Sequence, residues 1–138
     1  MAEKMKVDGQ CHCGRVRYAA IIDPNNVSVC HCTDCQAISG SAYRTTLRVP
    51  EADFEMTGEV RTYQKVAASG NLRNLVFCPV CGTQMYGVLA QGGPKIISIR
   101  VGTTRQKARL VPKRQIWGQS AMPWIHGLGS VPMSLEQD

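Results

Sequence analysis

Seven cysteines stand at positions 11, 13, 30, 32, 35, 78 and 81 of a 138-residue chain, so each has another within three residues. This clustering constrains the fold more than any other feature. The count is odd, and Cys-X-Cys pairs strain a disulfide because the backbone holds the two side chains apart. The first residues, Met1 to Gln10, are charged and polar where an export signal carries an apolar run, which points to a cytoplasmic and reducing setting. Bound metal is therefore expected in place of a disulfide framework.

Cys78-Pro79-Val80-Cys81-Gly82 is the most specific local signal. A Cys-X-X-Cys step brings two sulfurs to one ion from a tight turn, and a glycine directly after it can take positive φ and turn backbone N–H groups toward the thiolates. Structural zinc takes four ligands, and Cys11-His12-Cys13-Gly14 is the natural source of the second pair. Such a site would staple the first strand region to a late hairpin. A thioredoxin-like redox pair is the competing reading of Cys78 and Cys81, but no βαβ pattern precedes it.

Cys30-His31-Cys32-Thr33-Asp34-Cys35 then remains, with three thiols in six residues. Three protein ligands and one open position is the arrangement of a catalytic zinc. His31 or His12 could instead complete a closed tetrahedron, which would leave only a structural role. Three thiolates make zinc a weak Lewis acid toward water and a good partner for a soft sulfur ligand, so a thiol substrate fits better than hydrolysis.

Charge is distributed unevenly. Residues 1–59 hold six basic and eight acidic side chains, residues 60–138 ten and two, and no acid lies between Glu59 and Glu136. This balance gives either a solvated basic surface or attraction of an anionic small molecule. Aromatic content of 6% and the lack of any recognition motif argue against nucleic acid. No apolar run approaches the ~20 residues that span a bilayer. Arg44 and Arg48, downstream of the three-cysteine loop, are either substrate contacts or ordinary surface charges.

Punctuation by turn residues predicts a single mainly β domain over residues 1–138, with strands at 15–22, 27–30, 41–49, 60–66, 72–77, 83–89 and 95–101. The last is introduced by the Gly92-Gly93-Pro94 turn, and 54–58 reads as connection. One short helix is predicted over 33–39, capped by Thr33 or Asp34 and stopped at Gly40. The later hydrophobes Leu110, Val111, Ile116, Trp117, Met122, Trp124 and Ile125 are expected to cover one side of the sheet.

Three blocks carry a further resemblance: Gly9-Gln10-Cys11-His12-Cys13-Gly14-Arg15-Val16-Arg17-Tyr18, then Cys30 to Cys35 with Ser39-Gly40, then Phe77-Cys78-Pro79-Val80-Cys81-Gly82-Thr83. Together they resemble the glutathione-dependent formaldehyde-activating enzyme family, whose domain is shared with a centromere protein. The resemblance spans about residues 9–125 and uses all seven cysteines. It implies a β-tent fold of two folded-over antiparallel sheets with zinc-binding knuckles at their junction. It also implies two Zn²⁺ per chain, a structural ion on Cys11, Cys13, Cys78 and Cys81 and a catalytic one on Cys30, Cys32 and Cys35. The implied activity is that of a carbon–sulfur lyase forming S-(hydroxymethyl)glutathione from glutathione and formaldehyde. Gln36 departs from the pattern, standing where the family more often has Arg or Lys, and the family's named enzyme is longer than this chain. A non-catalytic zinc module that binds a protein or nucleic acid is the alternative, motivated by the acid-free stretch from Val60 to Leu135.

Overall fold

A computed structural model describes residues 3–93 and 95–137, so Pro94 and the outermost ends of the expected domain lie outside the described residues. The fold is mainly β, with two sheets and one α-helix. Strands β1 (Met5–Gln10), β2 (Arg17–Ile22) and β5 (Phe54–Thr57) form a three-stranded antiparallel sheet in the order β1-β2-β5. The larger sheet has seven strands: β3 (Val27–Cys30), β4 (Arg44–Pro50), β6 (Arg61–Val66), β7 (Leu72–Phe77), β8 (Gln84–Leu89), β9 (Ile96–Arg100) and β10 (Arg114–Ile116). Its order is β10-β3-β4-β9-β8-β7-β6, and only the β10–β3 pair is parallel. Among the described residues no helix is long and apolar enough to cross a membrane.

Alternation sorts each strand into two faces. In β2, Tyr18, Ala20 and Ile22 turn inward and Arg17, Ala19 and Ile21 outward. In β4, Leu47 and Val49 join the core, while Arg44, Thr46 and Arg48 take the opposite face. The core fills the space between the sheets, with Val7, Tyr18, Ala20 and Ile22 from the small one against Val27, Leu47, Val49, Ile97 and Ile99 from the large one. Phe54 seals its edge, its ring 5.6 Å from Tyr18 and 5.1 Å from Tyr86.

The other face of the large sheet is polar and basic. Pairing sets Cys30 opposite Arg44, Thr46 opposite Arg100, Ser98 opposite Gly87, and Arg73 opposite Lys65, so these residues share the face turned away from the core. Helix α1 (Thr33–Ser39) follows β3 directly, yet the Asp34 carboxylate lies 2.7 Å from Lys65 Nζ on β6. In the sheet order β6 stands five strands from β3, so this ion pair ties α1 to the far side of the large sheet.

Three elements were not foreseen. In β1 Val7 is buried among lysine, aspartate and glycine, which hides the alternation; β5 falls within the expected connection at 54–58; and β10 lies in the tail. Nor does the tail cover the sheet. Leu110 is buried, but Val111, Ile116, Trp117 and Trp124 are exposed. Instead, the Lys113 N–H donates to Val27 O at 2.9 Å and β10 extends the sheet edge. The helix cap is Cys32, whose sulfur accepts from the Cys35 N–H, in place of Thr33 or Asp34; Gly40 ends the helix at φ 67° as predicted. Leu47, fully buried at the center of the core, should show the cost of a cavity: Leu47→Ala is expected to lower unfolding free energy by about 2–5 kcal/mol in urea titrations.

Candidate metal centers and the basic cleft

Two similar turns deliver four of the sulfurs. After β1, the Gly14 N–H donates to Cys11 O at 3.0 Å and the Cys11 N–H to Val16 O at 2.9 Å. Between β7 and β8, the Gly82 N–H donates to Cys78 O at 2.9 Å and the Cys78 N–H to Thr83 O at 3.0 Å. Gly14 and Gly82 have φ of 83° and 78°, a region that strains side-chain-bearing residues. The sulfurs of Cys11, Cys13, Cys78 and Cys81 all lie within 4.8 Å of one another, and the Cys11–Cys13 and Cys13–Cys78 separations are 3.6 and 3.8 Å. A tetrahedron of ~2.3 Å zinc–sulfur bonds has edges of about 3.8 Å, whereas a disulfide is ~2.05 Å. This donor set fits zinc.

Hydrogen bonds support the same charge state. The Val16 N–H donates to Cys11 Sγ at 3.3 Å and the Cys81 N–H to Cys78 Sγ at 3.5 Å. The Arg15 backbone N–H holds the Cys13 thiol below its ordinary pKa. Thr83 links the two turns: its hydroxyl accepts from the His12 N–H at 3.1 Å and lies 3.2 Å from Cys81 Sγ, pulling that thiol down to about 5. Thr83 was not singled out from the sequence because a threonine after a knuckle carries no pattern of its own.

Cys30 ends β3, Cys32 caps α1, and Cys35 sits in its first turn. Their sulfurs also lie within 4.8 Å of one another, and the Cys35 N–H donates to Cys32 Sγ at 3.3 Å. The Cys35 thiol shares its proton with Cys30, which lowers the Cys30 pKa and raises that of Cys35, and burial raises Cys35 further. Neither candidate histidine belongs to a sulfur group. His31 is buried, with Nε2 2.7 Å from Gln115 Oε1 and its ring 5.6 Å from Tyr43. Among the described residues no fourth Cys, His, Asp or Glu completes this set.

Arginines surround the three sulfurs. Arg44, directly opposite Cys30, is half-buried and its charge acts on Cys35, Asp34, Arg73 and Arg100. Arg48 stays exposed. Arg100 is only 7% exposed; burial, and then the Arg44 guanidinium, push its pKa down to about 9, which leaves it cationic at neutral pH. Arg73 and Arg100 both reach Gly87, where an added β-carbon would stand 3.6 and 3.2 Å from their Nη2 atoms. Arg44, Arg100, Tyr43, Ser39, Gly82 and Gln84 line a cleft of about 450 Å³ between α1 and the Cys78–Cys81 turn.

Gln36, the residue that departs from the expected pattern, binds backbone. Its Nε2 donates to His31 O at 2.8 Å and to Ser120 O at 2.9 Å, tying α1 to the tail. Trp117, just before that anchor, is the only described non-glycine residue with positive φ (57°). It is half exposed and so forms no part of the core.

Comparisons with known proteins agree with the fold. The family model described as glutathione-dependent formaldehyde-activating enzyme matches residues 6–120. An uncharacterized lyase of Schizosaccharomyces pombe is 28% identical over 88 residues, which are 62% of this chain and 59% of that protein. The chain thus matches less than two thirds of that relative's length. The crystal structure of a Rhodobacter sphaeroides protein superposes with a TM-score of 0.60 at 16% identity, covering 78% of this chain and 98% of the other, so the two share a fold.

Removing the Gln36 amide deletes the bond from α1 to Ser120 O in the tail and the bond to His31 O in the preceding loop. Gln36→Ala is expected to cost about 1–3 kcal/mol, and in hydrogen-exchange mass spectrometry to speed exchange in peptides covering 113–121 while leaving β7 and β8 protected.

Proposed function

The chain belongs to the glutathione-dependent formaldehyde-activating enzyme family, and on that footing we propose that it is a zinc-dependent carbon–sulfur lyase that joins a small thiol such as glutathione to a small aldehyde. The observation that carries the reading is the division of seven cysteines into a group of four and a separate group of three with no fourth protein donor among the described residues. Cys11, Cys13, Cys78 and Cys81 would hold a structural zinc that fastens the two sheets together. Cys30, Cys32 and Cys35 would hold the catalytic ion, with its remaining position for the substrate sulfur. Bound zinc lowers the pKa of a sulfur ligand, so a thiol taken up there is a thiolate at neutral pH.

The chain's own groups have defined tasks in this reaction. The Cys35 backbone N–H donates to Cys32 Sγ and orients that sulfur toward the other two. Arg44 and Arg100 supply positive charge beside three sulfurs that would otherwise concentrate negative charge. In the addition itself, the substrate sulfur forms a bond to the aldehyde carbon, the carbonyl π pair passes to oxygen, and that oxygen takes a proton from solvent. The hemithioacetal then leaves. The alternative of a non-catalytic module is less well supported, because Arg73 and Arg100 of the acid-free stretch face inward and Arg105 is paired to Asp8 at 2.8 Å.

Metal content and turnover test the proposal together. Wild type is expected to carry two zinc ions and Cys32→Ser one, with the same circular dichroism and no acceleration of S-(hydroxymethyl)glutathione formation in NMR exchange measurements. Cys78→Ser is expected to lose the fold, because in small zinc domains metal binding supplies much of the folding free energy, ~10–16 kcal/mol in zinc-finger peptides. A protein with one metal that does not respond to any thiol would overturn the reading.

A further inference from the structure

The two sulfur groups are held in different ways. In the group of four, each pair sits in a turn closed by its own bond, from the Gly14 N–H to Cys11 O and from the Gly82 N–H to Cys78 O. In the group of three, the backbone between Cys30 and Cys32 passes through His31, and that residue is fastened from far along the chain. Its N–H donates to Ile116 O at 3.1 Å, and its ring Nε2 lies 2.7 Å from Gln115 Oε1. Its carbonyl accepts from Gln36 Nε2 at 2.8 Å.

An amide oxygen only accepts, so His31 Nε2 carries a proton and donates it to Gln115. Nδ1 is buried with no partner, which leaves the Gln115 bond as the ring's one hydrogen bond among the described residues. The ring is only 2% exposed, and burying its polar atoms unmet costs free energy that water would otherwise supply. Gln115 is exposed and could satisfy its amide in solvent, so the contact serves the histidine more than the glutamine. Neither ring nitrogen joins the sulfur group. In the β10–β3 pair Gln115 stands opposite Val29 and Ile116 opposite Cys30, and alternation turns Val29 and Cys30 to opposite faces. Gln115 thus reaches His31 from behind the face that carries the Cys30 sulfur, and the ring acts on the cysteines through the backbone that joins them.

We propose that Gln115 is a positioning residue for the three-cysteine site: by holding the His31 ring it fixes the backbone between Cys30 and Cys32, and so sets how tightly that group binds its metal. This rests on the reading of Cys30, Cys32 and Cys35 as a metal site, and adds that its affinity is governed by the tail through a contact spanning 84 residues. Ligands already ordered lose less conformational freedom when an ion binds, so a tether of this kind appears as metal affinity. The four-sulfur group, set by its own turns, does not depend on it.

Stepwise zinc release to a chelator, with the metal left on the protein counted at each step, tests it in wild type, Gln115→Leu and Gln115→Glu. Leucine removes the acceptor at similar volume, and glutamate keeps one for the Nε2 proton. Gln115 is exposed on an edge strand, so neither change disturbs the core. Gln115→Leu should give up one of two zinc ions at a chelator concentration at least about tenfold lower than wild type, as loss of an outer partner of a metal site typically costs ~10–100-fold in affinity. Gln115→Glu should stay within about threefold of wild type. Adding Gln115→Leu to Cys32→Ser should leave the remaining ion held as in Cys32→Ser alone, which identifies the weakened site. Unchanged release in Gln115→Leu, a shift of both ions together, or a glutamate variant as weak as the leucine one overturns the positioning role and leaves the two-site reading standing. A wild type that binds one zinc overturns both.

Discussion

Four sulfurs drawn from two different sheets meet within 4.8 Å, and much of the architecture follows from that meeting. Cys11 and Cys13 leave β1 of the small sheet, and Cys78 and Cys81 link β7 to β8 of the large one. Neither turn could hold an ion alone. Cys11 and Cys78 also belong to the core that lies between the sheets. Thr83 adds a second tie at the same place, joining the His12 backbone to Cys81. A small domain gains most from such cross-links, because its core alone supplies little surplus stability.

The large sheet then does two jobs with one alternation. On β4, Leu47 and Val49 feed the core, while Arg44 and Thr46 face the region around the three cysteines. On β9, Ile97 and Ile99 feed the core and Arg100 faces the same cleft. Lys65 on the far strand pairs with Asp34 on α1, so the helix that carries Cys35 is held from both sides of the sheet. The separation of apolar and basic faces is thus also a separation of stability from chemistry.

Much of this was legible in the cysteine spacing, because metal ligands must lie close along the chain or be brought close by turns with recognizable chemistry. The grouping into four and three, the strands of the large sheet and the short helix ending at Gly40 all have local signals of that kind. What escaped has none. β1 buries Val7 in a polar context, β5 reads as a connection, and β10 joins the edge of the sheet through register with β3. The arginines were harder still: Arg44 and Arg48 look equivalent in sequence, yet only Arg44 is paired opposite Cys30. Arg73 and Arg100 come to the cleft from strands separated by many residues. The hydrophobes of the tail suggested a cover for the sheet, but of these Leu110 joins the core while Val111, Ile116, Trp117 and Trp124 stay exposed.

The tail's grip on the three-cysteine loop has a consequence for the order of assembly. His31 donates its backbone N–H to Ile116 O and meets Gln115 through its ring, and Gln36 holds Ser120 O; the two side-chain contacts each span 84 residues. The turn that carries Cys78 and Cys81 closes on Thr83, and the sheet that holds it is linked through β8 and β9, complete at Arg100. The loop with Cys30, Cys32 and Cys35 must wait for residues 115–120 before its flanks are fastened. Synthesis therefore completes the fastening of the sheets before it completes the site where thiols would react, and a nascent domain can hold its shape before it holds its reactive geometry.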